Sequence, residues 1–130
     1  MEDIHIQGES GTFFTPNVDF NASSGHCSIT GESYLENSFE FYDKLIQWFD
    51  SYFAEGGEAI VLDIKLTYFN TSSSRALLDL FIKLKELEDE GKNVTVNWHY
   101  GVPDDTDMEQ EAEDFIDDSG LEINLVEFES

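Results

Sequence analysis

One cysteine, Cys27, stands alone in 130 residues. It excludes an intramolecular disulfide and any cysteine-built metal cluster, and leaves Cys27 as a small core or strand residue. Basic residues are also scarce, six lysines and arginines against 29 aspartates and glutamates, for a formal net charge of −23 and a pI near 4.1. Contact with nucleic-acid phosphates or anionic lipid would be repulsive over most of such a surface. The charge either draws a partner with a basic face or only keeps the protein soluble. The N-terminus, Met1-Glu2-Asp3-Ile4-His5, has neither a basic stretch nor a long apolar one. No later segment approaches the length needed to span a bilayer, so the sequence predicts a cytoplasmic protein without membrane insertion. Gly-x-Ser-x-Gly, a phosphate-loop lysine motif and a dinucleotide fingerprint are all missing, as are internal repeats and linkers.

What is present is enough to fold. A hydrophobic fraction of 40% with 14% aromatics argues against disorder despite the charge, and 130 residues are one ordinary domain, residues 1–130, with a single core. Ile4 and Ile6, Val18 and Phe20, then Cys27 and Ile29 alternate with polar neighbours, which predicts an antiparallel opening of two or three short strands. Asn37 with Glu40 forms a capping box, and Phe41, Leu45, Trp48, Phe49 and Tyr52 follow at helical spacing until Gly56-Gly57. Ala59 to Leu66 reads as a central strand covered on both faces, Asp63 and Lys65 notwithstanding. Leu77, Leu80, Phe81, Leu84 and Leu87 make a second amphipathic helix stopped by Gly91. Val94 to Trp98 alternates as a strand, and Gly101 to Asp107 reads as an acidic turn. Thr106 with Glu109 opens a third helix carrying Ala112, Phe115 and Ile116, and Leu121, Ile123 and Leu125 a last strand. The fold class is therefore α/β (α+β): a mixed sheet that opens with short antiparallel strands and continues α-β-α-β-α-β, helices packed on the sheet.

Chemistry is harder to find. Acidic residues are so many that neighbouring pairs arise by chance, and nothing marks one pair for acid–base work. His5, His26 and His99 are scattered singly among the strands without zinc-ligand spacing. Asp104-Asp105-Thr106-Asp107 is the best place for a divalent cation, yet it lacks the glycine and terminal glutamate of a calcium loop. A small acidic cation-binding protein or enzyme using surface carboxylates is the alternative reading.

The most informative segment is Asn70-Thr71-Ser72-Ser73-Ser74-Arg75. It follows a β-rich run and precedes a helical one, so Thr71 and Ser72 fall at a helix N-terminus, where free N–H groups and the macrodipole favour a negative group. Ser, Thr and Asn are ordinary N-caps, but four hydroxyls in a row exceed that need. A phosphate on Thr71 would add about −1.5 to −2 charges, and Arg75, four positions on, could reach it over the first turn. A structural cap and a phosphorylation switch both remain open on this chemistry. Tyr68 and Phe69, just before the cluster, are expected to be buried at the strand's end, the alternative being an aromatic contact surface.

Gly31-Glu32-Ser33-Tyr34, Glu36 to Tyr42, Leu66 to Ser74 with Ala76 to Leu80, and Val94 to Trp98 together resemble the SiaC family of bacterial regulatory phosphoproteins, along essentially the whole chain. The resemblance implies a STAS-like architecture similar to that of the anti-sigma-factor antagonists, in which a Ser or Thr at a helix start is phosphorylated. Carried onto this sequence, it implies Thr71 as the phosphoacceptor, with Tyr68, Phe69, Asn70, Ser72, Ser73, Ser74 and Arg75 as the switch surface. It further implies a non-enzymatic protein without cofactor whose partners are a diguanylate cyclase, activated by the unphosphorylated form, a serine/threonine kinase and a PP2C-type phosphatase. Such partners would tie it to cyclic-di-GMP signalling and biofilm behaviour.

Overall fold

The computed structural model of the chain describes residues 2–8, 14–102 and 106–129. Six strands, β1 (Ile4–Ile6), β2 (Asn17–Phe20), β3 (His26–Ser33), β4 (Ala59–Phe69), β5 (Asn93–Val102) and β6 (Asn124–Glu129), lie side by side in chain order. The first three pair antiparallel and β3 to β6 pair parallel. Helices α1 (Ser38–Ala54), α2 (Thr71–Asp89) and α3 (Thr106–Ser119) make the three parallel crossovers. The expected order of elements and the mixed pairing are thus both found.

Because each crossover returns to the next strand along in the same direction, connections of one hand put all three helices on one side of the sheet. Burial follows. In β4, Ile60, Leu62, Ile64 and Leu66 are buried while Val61, Asp63 and Lys65 are not. The expectation that this strand is covered on both faces is therefore corrected: the fold has two layers, and Asp63 and Lys65 face away from the helices. The core lies between sheet and helices, filled by Phe20, Ile29, Leu45, Phe49, Leu77, Leu80, Phe81 and Trp98. On the open face one row crosses all six strands in register: His5, Asp19, Ser28, Asp63, Asn97 and Asn124.

α1 and α2 begin on asparagine caps, Asn37 and Asn70, whose side chains accept from the Glu40 and Ser73 amides. Left-handed Gly56 (φ +97) and Gly91 (φ +92) close them, a conformation that costs glycine little. Boundaries move elsewhere. β4 runs three residues past Leu66, to Phe69, because after a register shift at Gly31/Glu32 the end of β3 pairs Glu32 with Tyr68 and Ser33 with Phe69. Gly101 belongs to β5 and not to a turn. Leu121 and Ile123, expected in the last strand, are buried in the connection ahead of it and plug the core from there. No helix among the described residues is long and apolar enough to cross a membrane.

Candidate functional site

The hydroxyl cluster lies where β4 hands over to α2. Asn70 has extended backbone (φ −86, ψ 176), and its side-chain oxygen accepts from the Ser73 amide at 2.9 Å. Its own amide donates to the Ser33 carbonyl at 3.1 Å and its Nδ2 to the Leu35 carbonyl at 3.0 Å, so the cap is tied to the end of β3. Thr71 is consequently the first residue of the helix, and it is exposed. α2 carries no acidic residue in its first turn, although 29 such residues are available and an acid there would stabilise the helix. The positive end of the macrodipole is left open beside Thr71.

The other hydroxyls do different work. Ser73 is fully buried and holds a polar knot: its Oγ lies 2.7 Å from Ser33 Oγ and 3.0 Å from Ser38 Oγ, and donates to the Ser33 carbonyl at 3.0 Å. Tyr42 donates to Ser33 Oγ at 2.8 Å. Ser73 therefore cannot belong to the switch surface expected from the sequence; helical spacing turns it inward, two residues after the exposed Thr71. Ser72 and Ser74 are half-buried and Arg75 is exposed.

Burial pushes the Tyr42 phenol up to about 12, with the hydrogen bond to Ser33 pulling the other way. Its contribution to stability is whole below the ordinary value of 10.0, where folded and unfolded chains both keep the proton. It is lost as pH rises toward the folded value, because the unfolded chain ionises first. The difference corresponds to about 3 kcal/mol. Urea melts stepped from pH 9 to 12 are expected to show this loss in the wild type and a shallower decline in Tyr42→Phe.

Thr71 stands between two recesses. One, of about 520 Å³, is lined by Phe39, Thr71, Ser72, Arg75, Ala76 and Asp79. The other is lined by Phe69, Asn70, Thr71, Ser74 and Glu111. Phe69 is half-buried, its ring 6.0 Å from that of Trp98 and 5.9 Å from that of Phe115. Tyr68, expected to be buried, is 47% exposed: alternation from Leu66 alone would turn it inward, but the register shift at Gly31/Glu32 inserts an extra residue in β4 and gives the inward position to Phe69. Phe39, which periodicity did not single out, is 63% exposed. Its only signal in the sequence is that it falls outside the buried stripe of α1, formed by Ser38, Tyr42, Leu45, Phe49 and Tyr52.

Two of the three histidines, scattered in sequence, converge on the open sheet face. His26 Nε2 lies 2.7 Å from Asp63 Oδ2, His99 Nε2 lies 3.0 Å from Asp63 Oδ1, and Asn97 donates to Oδ1 at 3.0 Å. His5 pairs with Asp19 farther along the same face. Partial burial pushes the Asp63 carboxyl up, but the partners His99, Asn97 and His26 outweigh it and hold the group below the usual carboxylate range. Among the described residues no group of three or more His, Cys, Asp or Glu side chains is arranged to hold a metal ion. The cation candidate Asp104-Asp105-Thr106-Asp107 lies outside the residues whose side chains the structure describes. Cys27 is buried in β3, and burial pushes its thiol up, which leaves it inert.

Residues 7–128 match the SiaC family of regulatory phosphoproteins. The chain is 38% identical, over 100 residues that make up 77% of each protein, to an uncharacterized protein of Pseudomonas aeruginosa strain UCBPP-PA14. Its fold superposes on SiaC of Pseudomonas aeruginosa with a TM-score of 0.85 at 32% identity, covering 98% of this chain and all of that one. It also matches, at a TM-score of 0.81 and 31% identity over 95% of this chain and all of that one, a structure of the diguanylate cyclase SiaD in complex with its activator SiaC from the same organism.

Proposed function

The chain belongs to the SiaC family of regulatory phosphoproteins, and from that premise we propose that it is a non-enzymatic switch whose unphosphorylated form binds and activates a diguanylate cyclase. Thr71 is the acceptor. A serine/threonine kinase transfers the γ-phosphoryl group of ATP to Thr71 Oγ: the new O–P bond forms as the bond to the β–γ bridging oxygen breaks. ADP departs, and the hydroxyl proton passes to the kinase's base. A PP2C-type phosphatase reverses the mark by directing water onto phosphorus, which releases inorganic phosphate and restores the hydroxyl. The relative SiaC is the activator of SiaD in its complex, and that is the source of the cyclase assignment.

One observation carries the choice of residue. Of the four hydroxyls from Thr71 to Ser74, Thr71 alone is exposed, at the first position of a helix whose opening turn holds no acid. A phosphate there is stabilised by the free N–H groups and dipole of α2, with Arg75 on the adjoining recess as the nearby cation. On the outside it adds about −1.5 to −2 charges to a surface that is already acidic. A docked partner must then answer that charge or leave.

Calorimetry between the host's cyclase and the two forms of the protein, each verified by intact mass, tests the reading. Phosphorylation at Thr71 is expected to weaken binding at least tenfold, about 1.4 kcal/mol, and Thr71→Glu to do so in part. Thr71→Ala should stay folded, bind the cyclase and take no phosphate at this position. Unchanged affinity in the phosphorylated form refutes the switch.

A further inference from the structure

The sheet carries helices on one side only, and its bare side includes the parallel strands. β3 to β6 pair parallel, and parallel sheets are normally covered on both faces. Half-buried Val61, Val126 and Phe128 lie on that bare face, with the Lys65 ammonium 4.1 Å from the centre of the Phe128 ring. A ladder of polar side chains crosses it. Asn124 Nδ2 donates to Asn97 Oδ1 at 3.0 Å and Asn97 Nδ2 to Asp63 Oδ1 at 3.0 Å, and His26 and His99 close on the same carboxylate. These side chains are already ordered, which lowers the cost of covering them.

Charge is distributed unevenly between the two sides. Of the 29 acids, the strand residues whose side chains are described place only Asp19, Glu32 and Asp63 on the bare face, beside Lys65 and all three histidines. β6 contributes Asn124, Val126 and Phe128 there. Elsewhere, two copies of a chain with a net charge of −23 would meet acid against acid. We propose that the bare face is where two copies of this chain pair, sheet to sheet about a two-fold axis, and that protonation of its histidines tightens the pair. A two-fold interface must be complementary to itself, and the amide and hydroxyl side chains of Asn97, Asn124, Ser28 and Thr95 can each both donate and accept. The strands, at about 3.3 by 4.8 Å of sheet per residue, spread over about 650 Å² in projection, near the roughly 800 Å² of accessible surface that each partner buries in a standard interface. With neutral imidazoles, three carboxylates against Lys65 leave the face an excess of two negative charges. Three imidazolium groups turn that into an excess of one positive charge, so two such faces repel each other less. Imidazole gains its charge between about pH 8 and 5. Thr71 starts a helix of the other layer, so this surface is separate from the acceptor site.

Sedimentation of the unphosphorylated full chain over a concentration series, at pH 7.5 and pH 6.0, tests the pairing. A monomer–dimer equilibrium is expected at both, with the dissociation constant at least tenfold lower at pH 6.0. His26→Gln combined with His99→Gln should reduce that tightening to less than threefold, because glutamine still donates to Asp63 but takes up no proton. Thr95→Glu adds an acid to each paired face and should weaken the dimer at least tenfold. Ser51→Glu, the same charge on the exposed side of α1, should leave it unchanged. Glu32→Gln removes an acid from the face and should tighten the dimer at pH 7.5, a gain that misfolding cannot mimic. A monomer at every concentration and at both pH values overturns the proposal. So does a dimer indifferent to both Thr95→Glu and Glu32→Gln, which would sit on another surface. Full tightening retained in the double histidine variant overturns the role given to the histidines. Assemblies that grow beyond the dimer at pH 6.0 overturn the two-fold pairing in favour of head-to-tail stacking, the positive face of one copy on the acidic helices of the next.

Discussion

Replacing Trp98 with alanine is expected to lower stability by about 3–5 kcal/mol, the usual range for an indole removed from a core, and to loosen the acceptor site with it. Trp98 is wholly buried on β5, between Ile64 on β4 and Leu125 on β6. The rings of Phe69, Phe81 and Phe115 stand 6.0, 6.3 and 5.7 Å from it. Phe69 is the connection to function, since it lies directly before Asn70 and walls one of the recesses beside Thr71. A cavity below Phe69 lets the end of β4 sink and the cap with it. Trp98→Phe should behave differently. The indole Nε1 is buried with no hydrogen-bond partner among the described residues, and an unmet donor costs about 1–3 kcal/mol. Phenylalanine gives up packing volume but removes that donor, so the opposing effects should leave a loss below about 2 kcal/mol. Urea melts of both variants check this; a phenylalanine variant as unstable as alanine would mean that packing alone governs the position.

How far the sequence could be read depends on whether a feature is local. Asn37 and Asn70 cap their helices because one side chain and one amide three residues on suffice. The stripe from Leu77 to Leu87 is likewise a property of a single helix, and the exposed start at Thr71 follows from where it begins. The apolar run does not say whether Tyr68 is buried or displayed, because it does not fix where the strand's last inward position falls; pairing of Ser33 with Phe69 decides that. Ser73 looks like its neighbours in sequence, and its burial emerges only when α2 is laid against Ser33 and Ser38. The histidines pose the same problem. His26 and His99 are 73 positions apart, and they share Asp63 only because His26 pairs with Val61 and Asp63 with Asn97 in adjacent parallel strands. Register brings these groups together, and periodicity carries no register.

That distinction makes Ser73 the sharpest probe of how the switch is supported. Ser73→Val is expected to cost about 3–5 kcal/mol. Valine leaves Ser38 Oγ, the Ser33 carbonyl and Ser33 Oγ each short of one bond, together about 1–3 kcal/mol as in the alanine variant, and its extra methyl strains a packed site by about 1–3 kcal/mol more. Ser73→Ala keeps the space and should cost about 1–3 kcal/mol, with the Tyr42 hydroxyl still bonded to Ser33. Because the knot fastens the first turn of α2 to β3 and α1, the alanine variant should remain folded while its first turn frays more often. Amide hydrogen exchange over residues 71–76 should therefore quicken in Ser73→Ala by more than it does along the rest of α2. Kinase treatment adds an independent readout: Ser73→Ala should still take phosphate on Thr71, since the buried Ser73 hydroxyl is closed to any transferase. Loss of the only phosphate on removing Ser73, in a variant that melts as expected, would move the acceptor inward and require the helix to open before it is modified.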